Sequence, residues 1–197
     1  MHKNLTGLVL AGGHGSRMGG VDKGLVLYNN HPLITYAINA VAPYTDKIII
    51  SANRSIERYK DFGYEVHKDT ISGGLGPLAG IHTGLTNCET EYLISVPCDT
   101  PFLSQNFIES LVNFVDENDC KGVIPFTKAK DGKKLFHPTI MLVKTRLRKS
   151  LADYLNNGGR KIKIWTDAES FCEFFFDDDS CFENFNTLDQ LKKRSNS

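Results

Sequence analysis

The sequence predicts an α/β protein: a mostly parallel mixed sheet with helices on both faces. Three observations carry that expectation. Short apolar runs of strand length recur along the chain, stretches with helical apolar spacing separate them, and one run, Ile48-Ile49-Ile50, is continuous and β-branched. The last pattern belongs to a strand covered on both faces, and strand–helix alternation of this kind builds a parallel sheet.

The elements follow in order. Gly7 to Ala11 is an apolar run that stops at two glycines, a buried strand feeding a loop. Pro32 stands at a first helical position ahead of Leu33, Ile34, Ala37, Ile38 and Val41, which share one helix face. Lys47 to Ser51 is the next strand, followed by a short one near Tyr64 to Val66, a helix carrying Leu78, Ile81 and Leu85, and a strand from Tyr92 to Val96. Ser104 caps a helix whose Phe107, Ile108, Leu111, Val112 and Val115 form a stripe.

The last third is less regular. It holds strands near Val123 and at Thr139 to Val143, a helix with Leu147, Leu151, Tyr154 and Leu155 that stops at Gly158-Gly159, and an aromatic strand at Phe171 to Phe176. Trp165 and Phe174 to Phe176 read as core rather than as a stacking platform. The polar tail after Leu191 reads as frayed. No internal repeat or linker interrupts the chain, so residues 1–197 read as one domain.

Composition limits the function. Lys plus Arg and Asp plus Glu both count 23, so no whole-chain field draws the protein to nucleic acid or to an anionic membrane. Any anion must be held by a local site. The five cysteines are widely spaced, without a zinc or disulfide pattern, and read as free thiols in a reducing cytoplasm. The first apolar run is too short for a signal peptide or a membrane span, so the protein is expected to be cytoplasmic.

The local site is the segment from Gly12 to Lys23, spaced G-G-x-G-x-R-x-G-G-x-D-K. It lacks the G-K-[ST] ending of a P-loop and is not the dinucleotide G-x-G-x-x-G. Glycines such as Gly12, Gly13 and Gly15 let backbone N–H groups approach an anion closely. Arg17 adds a forked cation and Lys23 a point charge, which together read as a triphosphate cradle.

Asp99 follows the strand at Tyr92 to Val96, where an open α/β sheet places its ligand crevice. Beside a triphosphate it suits Mg²⁺, which keeps several waters and needs only one or two protein carboxylates. A solvated turn aspartate before Pro101 is the plainer alternative. Asn53 and Asp69 also lie just after strands, where loops collect ligands. His137, Asn184 and Asn186 have structural readings of equal weight, as a core histidine and capping groups. Lys133, Lys134, Arg160, Lys161 and Lys163 read most simply as solvated faces, or else as a landing place for an acceptor phosphate.

Taken together, Leu10-Ala11-Gly12-Gly13-x-x-x-Arg17-Met18-Gly19-Gly20-x-Asp22-Lys23 resembles the signature loop of the molybdenum cofactor guanylyltransferases, within the superfamily that also activates sugar phosphates. Ser51-Ala52-Asn53-Arg54, Gly76-Pro77-Leu78-Ala79-Gly80, Pro97-Cys98-Asp99-Thr100-Pro101, His137-Pro138-Thr139 and Asn184-Phe185-Asn186-Thr187 extend the resemblance over nearly the whole chain. It implies a Rossmann-like nucleotidyltransferase fold and transfer of GMP from GTP to the phosphate of molybdopterin, with release of pyrophosphate.

By residue, the resemblance puts Leu10, Ala11, Gly12, Lys23, Asp69 and Asp99 on the guanine nucleotide and Mg²⁺ on Asp99. It puts Gly76 to Gly80 on the nucleotide side, and His137, Asn184 and Asn186 near the acceptor. Ser51 stands where some members carry a nucleotide-contacting Asn. Implied partners are GTP, the molybdenum cofactor, and other cofactor-biosynthesis and molybdoenzyme-maturation proteins. The attacking group is then the acceptor's own phosphate, so no Ser, Cys or His nucleophile is needed. Alternatives with similar chemistry are a sugar-1-phosphate nucleotidyltransferase and the molybdopterin cytidylyltransferases, the second disfavoured by the Gly76 to Gly80 segment. A non-catalytic nucleotide-binding regulator is the alternative from another class.

Overall fold

Strand β1 (Leu5–Leu10) lies inside the sheet in this computed structural model, which describes residues 4–12, 22–45, 47–71 and 76–185. A hairpin of β2 (Leu27–Tyr28) and β3 (His31–Pro32) leads into α1 (Leu33–Val41). Then come β4 (Lys47–Ser51), α2 (Ile56–Lys60), β5 (Glu65–His67), α3 (Pro77–Asn87), β6 (Tyr92–Pro97) and α4 (Gln105–Glu117). The last third adds β7 (Gly122–Lys128), β8 (Lys134–Phe136), β9 (Met141–Lys144), α5 (Arg148–Asn156), α6 (Ile162–Ala168) and β10 (Cys172–Phe175).

The main sheet runs β10-β7-β9-β6-β1-β4-β5, with β8 added beside β7. Strand β1 pairs in parallel with β4 and β6, as β4 does with β5 and β7 with β10, whereas β9 is antiparallel to both β6 and β7 and β8 to β7. The mostly parallel mixed sheet expected from the sequence is therefore the observed one. Six strands point the same way and deliver their carboxyl ends to one edge.

Alternation along the buried strands divides the core in two. Val9, Ile48, Ile50, Ile94 and Val96 face α1 and α4, while Leu8, Ile49 and Leu93 face α3, α5 and α6. Helix α3 lies close on the sheet because glycines recur four apart on its inner face. A Cβ at Gly84 would stand 2.6 Å from Leu8 Cδ2, and one at Gly80 would stand 2.7 Å from Leu10 Cδ2. Trp165 is buried, its indole N–H donating to Ser150 Oγ at 3.1 Å, as the core reading expects. Ser104 caps α4 as expected, accepting from the Phe107 amide at 3.1 Å.

A satellite cluster joins Tyr28, Phe102 and Phe185, with ring centroids between 5.3 and 5.9 Å apart. It packs the β2–β3 hairpin against the turn after β6. That hairpin turns on Asn29 and Asn30, both at positive φ (46° and 64°), the backbone of a tight two-residue loop. The hairpin, α2, β8 and α6 escape sequence reading because each is short and presents no sustained apolar period.

The five-free-thiol expectation is corrected: Cys120 and Cys172 form a disulfide, their Cα atoms 6.0 Å apart. Parallel pairing of β7 with β10 sets Cys172 opposite Val123, so residues separated by 52 positions become neighbours that spacing alone does not disclose. Cys88, Cys98 and Cys181 are free. Among the described residues no helix is long and apolar enough to cross a membrane. Gly13, Gly15, Arg17, Asn186 and the tail after Leu191 lie outside the described residues.

Candidate active site

The carboxyl ends of β1, β4, β5 and β6 meet at one edge because main-chain hydrogen bonds carry the sheet beyond its strands. Ala11 N donates to Ser51 O at 2.8 Å, Cys98 N to Leu10 O at 3.1 Å, and Ala52 N to His67 O at 3.0 Å. Side chains that follow the strands are thereby held over one cavity of about 440 Å³. Its wall includes Leu10, Ala11 and Gly12 after β1, Ser51 and Asn53 after β4, and Asp69 after β5. Gly76, Pro77 and Gly80 at α3, with Lys23, Asp99 and Asn184, are further expected residues that line it.

Two polar constellations face each other there. On one side Lys23 Nζ donates to Asp99 Oδ2 at 3.2 Å, both side chains about a fifth exposed (21% and 18%). Each keeps the other's charge compensated until a ligand arrives. On the other side Asp69 is fixed from three directions. Ser51 Oγ donates to Oδ1 at 3.0 Å, Asn53 Nδ2 donates to Oδ2 at 2.8 Å, and the Asp69 amide donates to Asn53 Oδ1 at 3.0 Å. Ser51 thus places its hydroxyl on Asp69. Gly80 lines the cavity, but the direction of its missing Cβ is toward Leu10 and Ser51 Oγ, 2.7 and 2.9 Å away. The glycine there lets the helix close on the strand ends.

Asn184 is tied in by Thr100, whose hydroxyl donates to its Oδ1 at 2.7 Å, and the next amide, Phe185 N, donates to Asp99 O at 2.9 Å. His137 stands back from the cavity wall. Its ring stacks on Phe182 at 4.0 Å and its Nε2 pairs with Thr127 Oγ1 at 3.1 Å, while burial holds its pKa below the usual imidazole value. The basic clusters also stand elsewhere: Lys133 pairs with Asp131, Lys134 and Lys163 with Glu173, and Arg160 donates to the carbonyls of Leu155 and Gly159.

Cys98 lies on the wall as well, but burial first and the neighbouring Asp99 second push its thiol far above the usual range. It is a packed thiol, not a nucleophile. Among the described residues no group of three or more His, Cys, Asp or Glu gathers as a metal site. Asp99 is instead one carboxylate on the wall, apart from the Asp69 that Ser51 and Asn53 already hold, and a lone oxygen donor of this kind fits Mg²⁺ arriving on phosphate oxygens and does not fit zinc.

Sequence reasoning missed Thr139 as a wall residue. It precedes β9, and an antiparallel strand brings its amino end, not its carboxyl end, to this edge. Ser95 Oγ fixes the segment by donating to Thr139 O at 2.9 Å.

A family model described as a MobA-like NTP transferase domain matches residues 7–168. A molybdenum cofactor guanylyltransferase of Cupriavidus pinatubonensis is 39% identical over 189 residues, covering 96% of this chain and 95% of the relative. One of Shewanella loihica is 39% identical over 197 residues, covering 99% and 97%. Among solved structures, molybdopterin-guanine dinucleotide biosynthesis protein A from Archaeoglobus fulgidus is similar in fold, with a TM-score of 0.71 at 21% identity and 95% of each chain covered.

Proposed function

The chain belongs to the MobA-like NTP transferase family, and from that premise we propose that it transfers GMP from GTP to the terminal phosphate of molybdopterin, releasing pyrophosphate. Relatives 39% identical along 95% or more of its length bear the name of that activity. The observation that carries the reading is the Lys23–Asp99 pair, 3.2 Å apart on a cavity that takes in Gly12 and holds no activated nucleophile among the described residues.

In the reaction an oxygen of the acceptor phosphate attacks the α-phosphorus of GTP, the bond from that phosphorus to the β-phosphate oxygen breaks, and pyrophosphate leaves with the electron pair. The protein's work is positioning and charge. Lys23 releases Asp99 and grips the phosphates, joined by Arg17 and the amides of Gly12, Gly13 and Gly15. Leu10 and Ala11 offer main-chain edges, and Asp69, held by Ser51 and Asn53, orients the nucleoside. Asp99 would hold Mg²⁺, which when bound neutralises charge on the triphosphate. Asn184 and Asn186 serve the acceptor in this reading, and His137, packed on Phe182 away from the cavity wall, acts as a support. The reading takes residues 1–197 as one nucleotidyltransferase domain working in the cytoplasm and handing its product to molybdoenzyme-maturation proteins.

The test is pyrophosphate release from GTP, CTP, ATP and UTP, each with and without molybdopterin or a sugar phosphate. Release with GTP plus molybdopterin alone is expected, and release that is indifferent to the acceptor or prefers CTP would sink the reading. Lys23→Ala or Asp99→Ala should lower kcat by roughly 10²–10³, the loss typical of removing one preorganised electrostatic contact.

A further inference from the structure

Under the Lys23–Asp99 pair lies a buried knot that the chemistry itself does not use. Tyr59 of α2 is fully buried, and its hydroxyl donates to Asp22 Oδ1. Asp22 immediately precedes Lys23, and Cys98 immediately precedes Asp99. Both neighbours of the charged pair meet at the end of the Tyr59 ring. A Cβ at Gly24 would stand 2.5 Å from the Tyr59 hydroxyl oxygen and 3.3 Å from Cys98 Sγ, so only glycine at 24 leaves room for the knot to close.

The arrangement does more than fill space. Asp22 Oδ2 is buried and has no hydrogen-bond partner among the described residues, so in the described part of the chain the carboxylate is oriented by the Tyr59 hydroxyl. A buried carboxylate oxygen without a partner among the described residues is costly, and the Tyr59 hydroxyl on the other oxygen is then a strong constraint on the group. The main chain of Asp22 is fixed too, since Leu25 N donates to Asp22 O at 3.1 Å in the short turn Lys23–Leu25. Burial pushes the Tyr59 hydroxyl above the phenol range, so it stays a donor at every pH of interest.

We infer that Tyr59 is a positioning residue: its hydroxyl, acting through Asp22, sets the place from which Lys23 meets the triphosphate and the spacing of Lys23 from Asp99. This rests on the nucleotide reading of the cavity given above. It assigns a task to α2, a helix of five residues on the side of the sheet away from α3.

The test uses Tyr59→Phe, which keeps the ring and removes the hydroxyl. GTP with Mg²⁺ is titrated into the whole protein by calorimetry, and kcat and KM for pyrophosphate release are measured at a temperature well below unfolding. The expected result is a roughly tenfold loss in kcat/KM for GTP, with no further loss when the same change is made in Lys23→Ala, because the hydroxyl acts through Lys23. Losses that add in the double variant, or a Tyr59→Phe protein with wild-type GTP affinity and kcat/KM, would overturn the inference. If Tyr59→Phe does not fold, Gly24→Ala displaces the hydroxyl while retaining it, and the same non-additivity with Lys23→Ala is required. Wild-type protein that binds no GTP would overturn the nucleotide reading and this inference with it; wild-type binding and kcat/KM both matched by Tyr59→Phe overturn the inference alone.

Discussion

The half of the sheet around β1, β4, β5 and β6 and the half around β7, β8, β9 and β10 build the same edge by different means. In the first, every strand is parallel, and each gives the cavity wall residues at or just past its carboxyl end: Gly12 from β1, Ser51 and Asn53 from β4, Asp69 from β5 and Asp99 from β6. In the second, β8 and β9 run backward, the wall residue Thr139 comes before its strand, and order is kept by aromatic stacking and a disulfide. Parallel strands make a site whose parts recur at strand ends. Mixed strands make a wall whose parts must be found in three dimensions.

Removing the disulfide is the strongest way to challenge that division. With the cysteines 52 positions apart, the chain-entropy model assigns the cross-link about 4 kcal/mol, so Cys120→Ser with Cys172→Ser should lower urea stability by up to that amount. Calorimetric GTP affinity should stay within about twofold if the two halves act separately, since 1.4 kcal/mol would already be tenfold; a parallel loss of affinity would join them.

Gly84→Ala and Gly80→Ala test the parallel half by overpacking, each expected to lose about 1–3 kcal/mol in the same unfolding measurement. Only Gly80→Ala should also weaken GTP binding, because its new methyl meets Ser51 Oγ, the group that holds Asp69. Ser104→Ala removes the cap of α4, which packs against both halves, and should cost about 1 kcal/mol without changing affinity.

The smallest effect expected is in acid. His82 on α3 and His137 beside β7 both have imidazole pKa values lowered mainly by burial from the usual 6.5. The unfolded chain therefore takes up protons first, and the stability each group contributes is full above that value and lost as pH falls below it toward the folded pKa. Thermal midpoints from pH 8 to pH 5 should fall, and His82→Gln or His137→Gln should each flatten the fall. A slope unchanged in His137→Gln would place the acid sensitivity in the parallel half.

How much of this was legible follows the same division. The strands Lys47–Ser51 and Tyr92–Pro97, the Ser104 cap and the polar residues after each strand could be read because buried parallel strands announce themselves as continuous apolar runs. Tyr59 could not, since α2 is a five-residue helix in which one aromatic among charged neighbours looks like surface. The cysteine pair was hidden because neighbourhood across β7 and β10 is a property of register, not of spacing. His137 showed its type but not its depth.

The aromatic cluster of Tyr28, Phe102 and Phe185 bears on how the protein is made. It joins the segment after Lys23, the turn after Asp99 and the last described residue, so closing it demands contacts across most of the described chain. Such contacts form late, because loop closure must precede them. During synthesis Lys23, Asp69 and Asp99 all emerge long before Phe185. The nascent chain therefore carries its charged groups early but cannot fasten the Asp99 carbonyl until Phe185 has been made, which places completion of the cavity late in folding.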